Sequence, residues 1–206
     1  MRTKEGIILN QRKYALDIIS DMRLSAARPL GVPVEPNTRL RMCPKDEKDD
    51  PLLKEPIVYR RLIGRLSYLT VTRPDISFIV QRLSQFMQAP RRSHLSAAQR
   101  VVRYLKTTPR LGILLSAGGK KQLDGYVDSD WGTCQDIRGS ITGYVVKFGG
   151  SPISWKSKKE NTVSTSSTEA EYRALGTNVI VHLEAYINPS SNTTLVSCNK
   201  FLYIKC

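Results

Sequence analysis

The sequence predicts an α/β (α+β) chain, a helical segment followed by a β-meander that a further helix closes. Three observations carry this. Apolar residues recur at helical spacing from Ile57 to Leu105. After Pro109 the period shortens to that of a strand, with Gly-Gly pairs as punctuation. Helix-start chemistry then returns at Ser166.

In chain order, Gly6-Ile7-Ile8-Leu9 reads as a short strand, and Asn10 is placed to cap a helix with Ala15, Ile18, Ile19 and Met22 on one face. Pro29, Pro33 and Pro36 break regular structure beyond that helix. The stretch from Pro44 to Pro51 is a charged, proline-bounded loop, and Asp49-Asp50 within it reads as solvated, because no strand leads into it. Three helical stripes come next. Ile57, Val58, Leu62, Leu66 and Leu69 form the first, and Ile76, Ile79, Val80, Leu83, Phe86 and Met87 the second. Ser93 is placed to cap the third, with Leu95, Ala98, Val102 and Leu105 inward and Thr108-Pro109 ending it. The stripes are core residues.

Strands are predicted over 112–116, 122–128, 140–148 and 152–156, with turns at Gly118-Gly119 and Gly149-Gly150 and a loop over 157–165. The stretch Gly125-Tyr126-Val127-Asp128-Ser129-Asp130-Trp131 runs a β-compatible pair into two carboxylates. If the strand continues, Asp128 and Asp130 share a face. Carboxylates gathered at a strand end resist burial unless a cation sits between them, and a hard divalent ion serves. Both Ser166 to Glu169 and Thr168 to Glu171 fit a capping box. Glu169 and Glu171 cannot face the same way on one helix, so at most one serves a site.

The 206 residues suffice for one or two domains with a real core. Lys and Arg number 32 against 18 Asp and Glu, a net charge of +14, which points to a polyanionic partner, nucleic acid first. No apolar run approaches the ~18 residues that a membrane span needs, and no signal-peptide pattern follows Met1-Arg2-Thr3-Lys4-Glu5. Cys43, Cys134, Cys198 and Cys206 include no C-x-x-C pair, which argues against a zinc site or disulfide framework and for an intracellular chain. With His94 and His182 alone and no Gly-x-Ser-x-Gly elbow, a Ser-His-Asp hydrolase is disfavoured.

Between Asp75 and Asp124 no acidic residue occurs, while Arg82, Arg91, Arg92, Arg100, Arg103, Lys106, Arg110, Lys120 and Lys121 do. A solvated helix face usually mixes signs, since opposite charges at i,i+4 stabilise it. A one-sign interval suits phosphate contacts, and Arg91, Arg92, Arg100, Arg103 and Lys106 are the candidates for them.

Several motifs occur together in order: Tyr59-Arg60-Arg61-Leu62-Ile63-Gly64-Arg65-Leu66, Thr72-Arg73-Pro74-Asp75-Ile76, Leu83-Ser84-Gln85-Phe86-Met87, Arg103-Tyr104-Leu105-Lys106, Asp128-Ser129-Asp130-Trp131, Ile153-Ser154-Trp155-Lys156-Ser157-Lys158-Lys159, and Ser166 to Tyr172. Over roughly residues 4–176 the sequence resembles the C-terminal part of a copia-type LTR-retrotransposon Pol polyprotein. The resemblance implies the end of a reverse transcriptase, with helical thumb/connection-like segments, followed by a partial ribonuclease H-like mixed sheet with a helix. It divides the chain into a palm/thumb remnant (1–50), a connection-like segment (51–115) and a truncated ribonuclease H-like domain (116–206).

By the same resemblance Asp128 matches the first catalytic Asp and Glu171 the helix Glu, the two together holding Mg²⁺ or Mn²⁺ for cleavage of RNA in an RNA–DNA hybrid. Asp130 and Glu169 match supporting positions, and Trp155, Lys156, Lys158 and Lys159 a segment near the hybrid-binding surface. The implied partners are the hybrid and other Pol parts, in the cytoplasm or nucleus and with no membrane. The sequence departs from the family in several places. The Tyr-x-Asp-Asp motif and upstream palm are absent, so no polymerase activity is expected of this chain alone. Past about residue 176 the likeness fades into a divergent tail. A fourth strand is expected near 193–198, where the family reads Cys-Asp-Asn; here Cys198 is followed by Asn199. The fourth acidic residue is expected past Cys206. These departures lead to an expectation of impaired cleavage, or of nucleic-acid binding without turnover.

Overall fold

The computed structural model describes residues 1–35, 40–42, 50–118, 122–130, 141–159, 166, 168–169 and 197–200, the last four and Asp130 by their backbone alone. The fold is mixed α and β, with four helices and two sheets among the described residues. It comprises two compact units. One is Asn10–Gly112; the other joins Met1–Leu9 to Ile113–Lys205.

The first unit is helical: α1 (Arg12–Asp21), α2 (Pro56–Leu69), a 3₁₀ turn (Pro74–Ile76), α3 (Ser77–Ser84) and α4 (Arg92–Leu105). Its core joins Ala15, Ile18 and Ile19 of α1 to Leu62, Leu66 and Leu69 of α2, Ile79 and Leu83 of α3, and Ala98, Val102 and Leu105 of α4. Full burial of each Leu or Ile contributes about 1.5–3 kcal/mol. The predicted stripes therefore hold with local changes. Ile57 is 66% exposed, and Tyr59 takes the inward place, fully buried with its hydroxyl donating to the Leu83 carbonyl at 2.8 Å. The second stripe is not one helix. Ile76 lies in the 3₁₀ turn and Phe86 past the end of α3, yet both are buried.

Helix starts differ most from expectation. Gln11, not Asn10, is the N-cap of α1, and the Asn10 side chain accepts the Arg12 N–H at 3.4 Å. α4 begins one residue before Ser93, with Arg91 as N-cap. The solvated reading of Asp50 is overturned. Its half-buried carboxylate accepts the Ser93 N–H at 2.9 Å and the Ser93 hydroxyl at 2.6 Å. The first turn of a helix exposes unpaired N–H groups at the positive end of its dipole, and a remote carboxylate satisfies them here.

The second unit contains two sheets. β1 (Gly6–Leu9) pairs antiparallel with β2 (Ile113–Ser116). The larger sheet holds β3 (Leu123–Asp130), β4 (Ile141–Phe148), β5 (Ser151–Lys159) and β6 (Ser197–Lys200) in the order β5-β4-β3-β6. The meander β3-β4-β5 is antiparallel, and β6 runs parallel to β3. Gly149 and Gly150 take φ of 57° and 80°, the two positive values that a type I′ hairpin turn requires. β5 extends further than expected. Ser157, Lys158 and Lys159, read as loop, pair with Gly143, Thr142 and Ile141, because a ladder partner outweighs the weak strand propensity of Ser and Lys. On one face of the sheet Val127, Tyr144, Val146 and Thr142 are all buried. No described helix is long and apolar enough to cross a membrane.

Candidate functional site

Asp128 lies two residues before the end of β3, since the ladder continues through Asp130 opposite Ile141. It is half-buried, and its antiparallel partner is Gly143. A glycine in that position puts no side chain beside the carboxylate. Beyond Gly143 in the same row stands Ser157 of β5, whose hydroxyl is buried with no hydrogen-bond partner among the described residues. Two residues back on the Asp128 face lies Tyr126, with the Lys147 ammonium 5.1 Å from its ring centroid. Asp124, two further back, accepts from the Gln122 amide at 2.8 Å.

A half-buried carboxylate offers the hard oxygen donors that a divalent cation takes. Among the described residues no group of three His, Cys, Asp or Glu gathers to complete such a site. Glu171 lies outside the described residues. The helix start that precedes it shows the serine half of the first predicted capping box: Ser166 Oγ accepts the Glu169 N–H at 3.1 Å, and Thr168 and Glu169 are helical. Cys198 and Asn199 stand opposite Gly125 and Tyr126 in the parallel ladder, so this non-acidic pair is beside the Asp128 strand.

The basic candidates divide by what holds them. Arg91 is only 6% exposed and donates to the Met42 carbonyl at 3.1 Å and the Asp50 carbonyl at 2.7 Å. Arg103 donates to the Arg28 carbonyl at 2.9 Å. Lys106 donates to the carbonyls of Leu24 at 3.0 Å, Ser25 at 2.8 Å and Ala27. Arg100 pairs with Glu35 at 3.4 Å. Backbone carbonyls thus take much of the role that acidic side chains would play along this interval. Arg92, Lys156 and Lys158 are exposed, and Lys159 is half-buried. Lys156 and Lys158, two apart on β5, pair with Tyr144 and Thr142 and so share the sheet face opposite Asp128, whereas Lys159 pairs with Ile141 on the Asp128 face.

Sequence reasoning missed two polar clusters in the helical unit. In one, Arg73, only 1% exposed, donates to the Asp75 carboxylate at 2.7–3.2 Å and to the Thr108 carbonyl at 2.9 Å, while the Tyr104 hydroxyl donates to Asp75 at 2.8 Å. Burial works against the Arg73 charge, but Asp75 and Tyr104 together outweigh it and keep the guanidinium pKa above its usual value. The other centres on His94, which is fully buried and stacked on Phe86 at 3.9 Å between ring centroids. The Arg-Pro-Asp spacing of residues 73–75 was the available signal for the first cluster. None marked the second.

The chain is 43% identical over 174 residues to the retrovirus-related Pol polyprotein from transposon RE1 of Arabidopsis thaliana, a match over 84% of this chain and 12% of that protein. It is 37% identical over 178 residues to the corresponding polyprotein from transposon TNT 1-94 of Nicotiana tabacum, over 84% of this chain and 13% of the relative. A third relative, the uncharacterized mitochondrial protein AtMg00810 of Arabidopsis thaliana, is 36% identical over 170 residues, which are 82% of this chain and 68% of that one. The chain belongs to the copia-type, retrovirus-related Pol polyprotein family of transposons. The resemblance in the ordered motifs is thereby shown, for a chain spanning about an eighth of the length of the Pol polyproteins it matches. No protein-family profile matches this Pol-related chain, and no solved structure does.

Proposed function

We propose that the sheet-bearing unit is a retrotransposon-derived ribonuclease H-like domain that binds RNA–DNA hybrid and cleaves its RNA strand at a reduced rate. The observation that carries this reading is Asp128 on β3, an interior strand of the four-stranded sheet, opposite Gly143 of β4 and next to the parallel strand β6, with helical residues at 168–169. Asp128 and Glu171 are the proposed ligands for Mg²⁺ or Mn²⁺. Bound there, divalent cations supply activation of a water and charge stabilisation at the leaving oxygen. The Asp128 carboxylate contributes hard oxygen donors from a ladder that fixes its backbone. Lys159, on the Asp128 face of the edge strand β5, meets the hybrid's phosphates, a contact that is independent of base sequence and weakens with salt, while Lys156 and Lys158 extend from the opposite face. The reduced rate follows from Cys198-Asn199, which places no carboxylate on β6. A missing ligand mispositions the metal, and small displacements cost large factors in rate. Hybrid nucleic acid and other Pol parts are the proposed partners, within the cell.

The test incubates the purified chain with labelled RNA–DNA hybrid and Mg²⁺ or Mn²⁺, beside an Asp128→Asn variant. Metal-dependent cleavage that the variant loses is the expected result. Salt-sensitive binding without cleavage would reduce the reading to a binding module, and the absence of both would overturn it.

A further inference from the structure

The first turn of α4 grips two separate pieces of the preceding chain. His94 Nε2 lies 3.1 Å from the Arg41 carbonyl, and its Nδ1 accepts the Arg91 N–H at 3.1 Å. An Nδ1 that accepts carries no proton, so the ring is the neutral tautomer with Nε2 as donor to Arg41. The Arg91 guanidinium spans the Met42 and Asp50 carbonyls, and Ser93 binds the Asp50 carboxylate. Two backbone bonds complete the grip, from Leu53 N–H to the Pro90 carbonyl at 2.9 Å and from Arg92 N–H to the Pro51 carbonyl at 3.2 Å.

We propose that this turn is a pH-operated clamp, in which neutral His94 holds residues 41–42 and 50–53 on the helix and uptake of one proton by His94 releases them. The proton must enter at Nδ1, where it meets the Arg91 N–H, donor against donor, and a buried hydrogen bond is lost. The resulting charge has no water to solvate it, since the residue is fully buried with Phe86 stacked on the ring. The groups facing the ring are few. Arg91 from α4 opposes a second positive charge, and Asp50 from the preceding segment favours it but is already engaged by Ser93. Tyr59 from α2, with ring centroids 6.5 Å apart, uses its hydroxyl on Leu83. Arg41 offers its carbonyl. The largest influence is burial, which lowers the imidazole pKa from its usual value.

The sign follows from linkage. The clamped state binds the proton less readily than the released state, so closure is at full strength above pH 6.5, the ordinary value of the released imidazole. It weakens as pH falls from there toward the lowered pKa of the clamped ring. One proton makes the opening equilibrium change by at most about tenfold per pH unit in that window.

Amide hydrogen exchange at Leu53 and Arg92, corrected for intrinsic exchange, tests this across the window in which histidine titrates, about pH 7.5 to 5. Protection at both amides is expected to fall by up to about tenfold per unit below the histidine midpoint, while the Leu66 amide inside α2 stays protected. In His94→Asn, whose Oδ1 can still accept the Arg91 N–H, protection is expected to be flat with pH. Asp50→Asn, which removes the carboxylate facing the ring, is expected to extend the fall to lower pH. A flat profile in the wild type, an undiminished fall in His94→Asn, or parallel loss at Leu66 would each overturn the clamp. The wild-type profile decides the matter even if neither variant folds.

Discussion

Replacing Asp75 by Asn tests the buried polar cluster of the helical unit most directly. The Arg73 side chain is 2% exposed and Asp75 27%, so the variant strands the better-buried charge. Breaking a buried ion pair from one side costs about 3–5 kcal/mol. Three features put this case near the lower bound. The substituted amide keeps one acceptor, Thr108 still accepts from the guanidinium, and the Tyr104 ring lies 5.5 Å from the Arg73 guanidinium carbon, a contribution of about 1 kcal/mol. The expected loss is about 3 kcal/mol. Arg73→Met should cost less, about 2 kcal/mol, because water can reach the carboxylate it leaves behind. The double variant Arg73→Met/Asp75→Leu should fall well short of the sum of the singles, because neither partner remains unpaired. Urea unfolding of the full chain, followed by far-UV circular dichroism, measures all three. An Asp75→Asn variant within about 1 kcal/mol of wild type, or a double variant as costly as the sum, would refute the claim that Arg73 is held by a specific desolvated pair.

Two further perturbations probe the two units separately. Lys106→Met keeps much of the aliphatic stem but removes the donors to Leu24, Ser25 and Ala27. A loss of about 1.5–3 kcal/mol is expected, with faster exchange at the Ala27 amide, which bonds the Leu24 carbonyl; unchanged stability and exchange would show that the ammonium is dispensable there. Gly6→Ala should unpair β1 from β2. Gly6 has φ of 151°, and an added Cβ would collide with the Leu115 carbonyl oxygen. The expected cost is about 1–3 kcal/mol, read as lost protection at the Ala117 amide, which bonds the Glu5 carbonyl, with α2 amides unaffected.

Much of this fold was legible because its signals are local. The helical stripes, the Gly149-Gly150 hairpin and the Ser166 cap depend on neighbours within a turn or a few residues, where spacing and backbone preference act directly. The Asp128 strand was legible in the same way, as was the family, through the order of its motifs. The tertiary structure decided what distant residues do for one another. Asp50 became a cap for α4 rather than a solvated charge, and Arg91, Arg103 and Lys106 became donors to loop carbonyls. His94 became buried between Arg91 and the segment that Arg91 holds. β5 gained Ser157–Lys159 from its ladder with β4, and β6 its place beside β3. Hydrophobic period says which face is buried, and turn chemistry where the chain reverses. Which acceptor meets a given buried donor depends on how remote segments pack, because desolvation makes that match obligatory only once the core has closed.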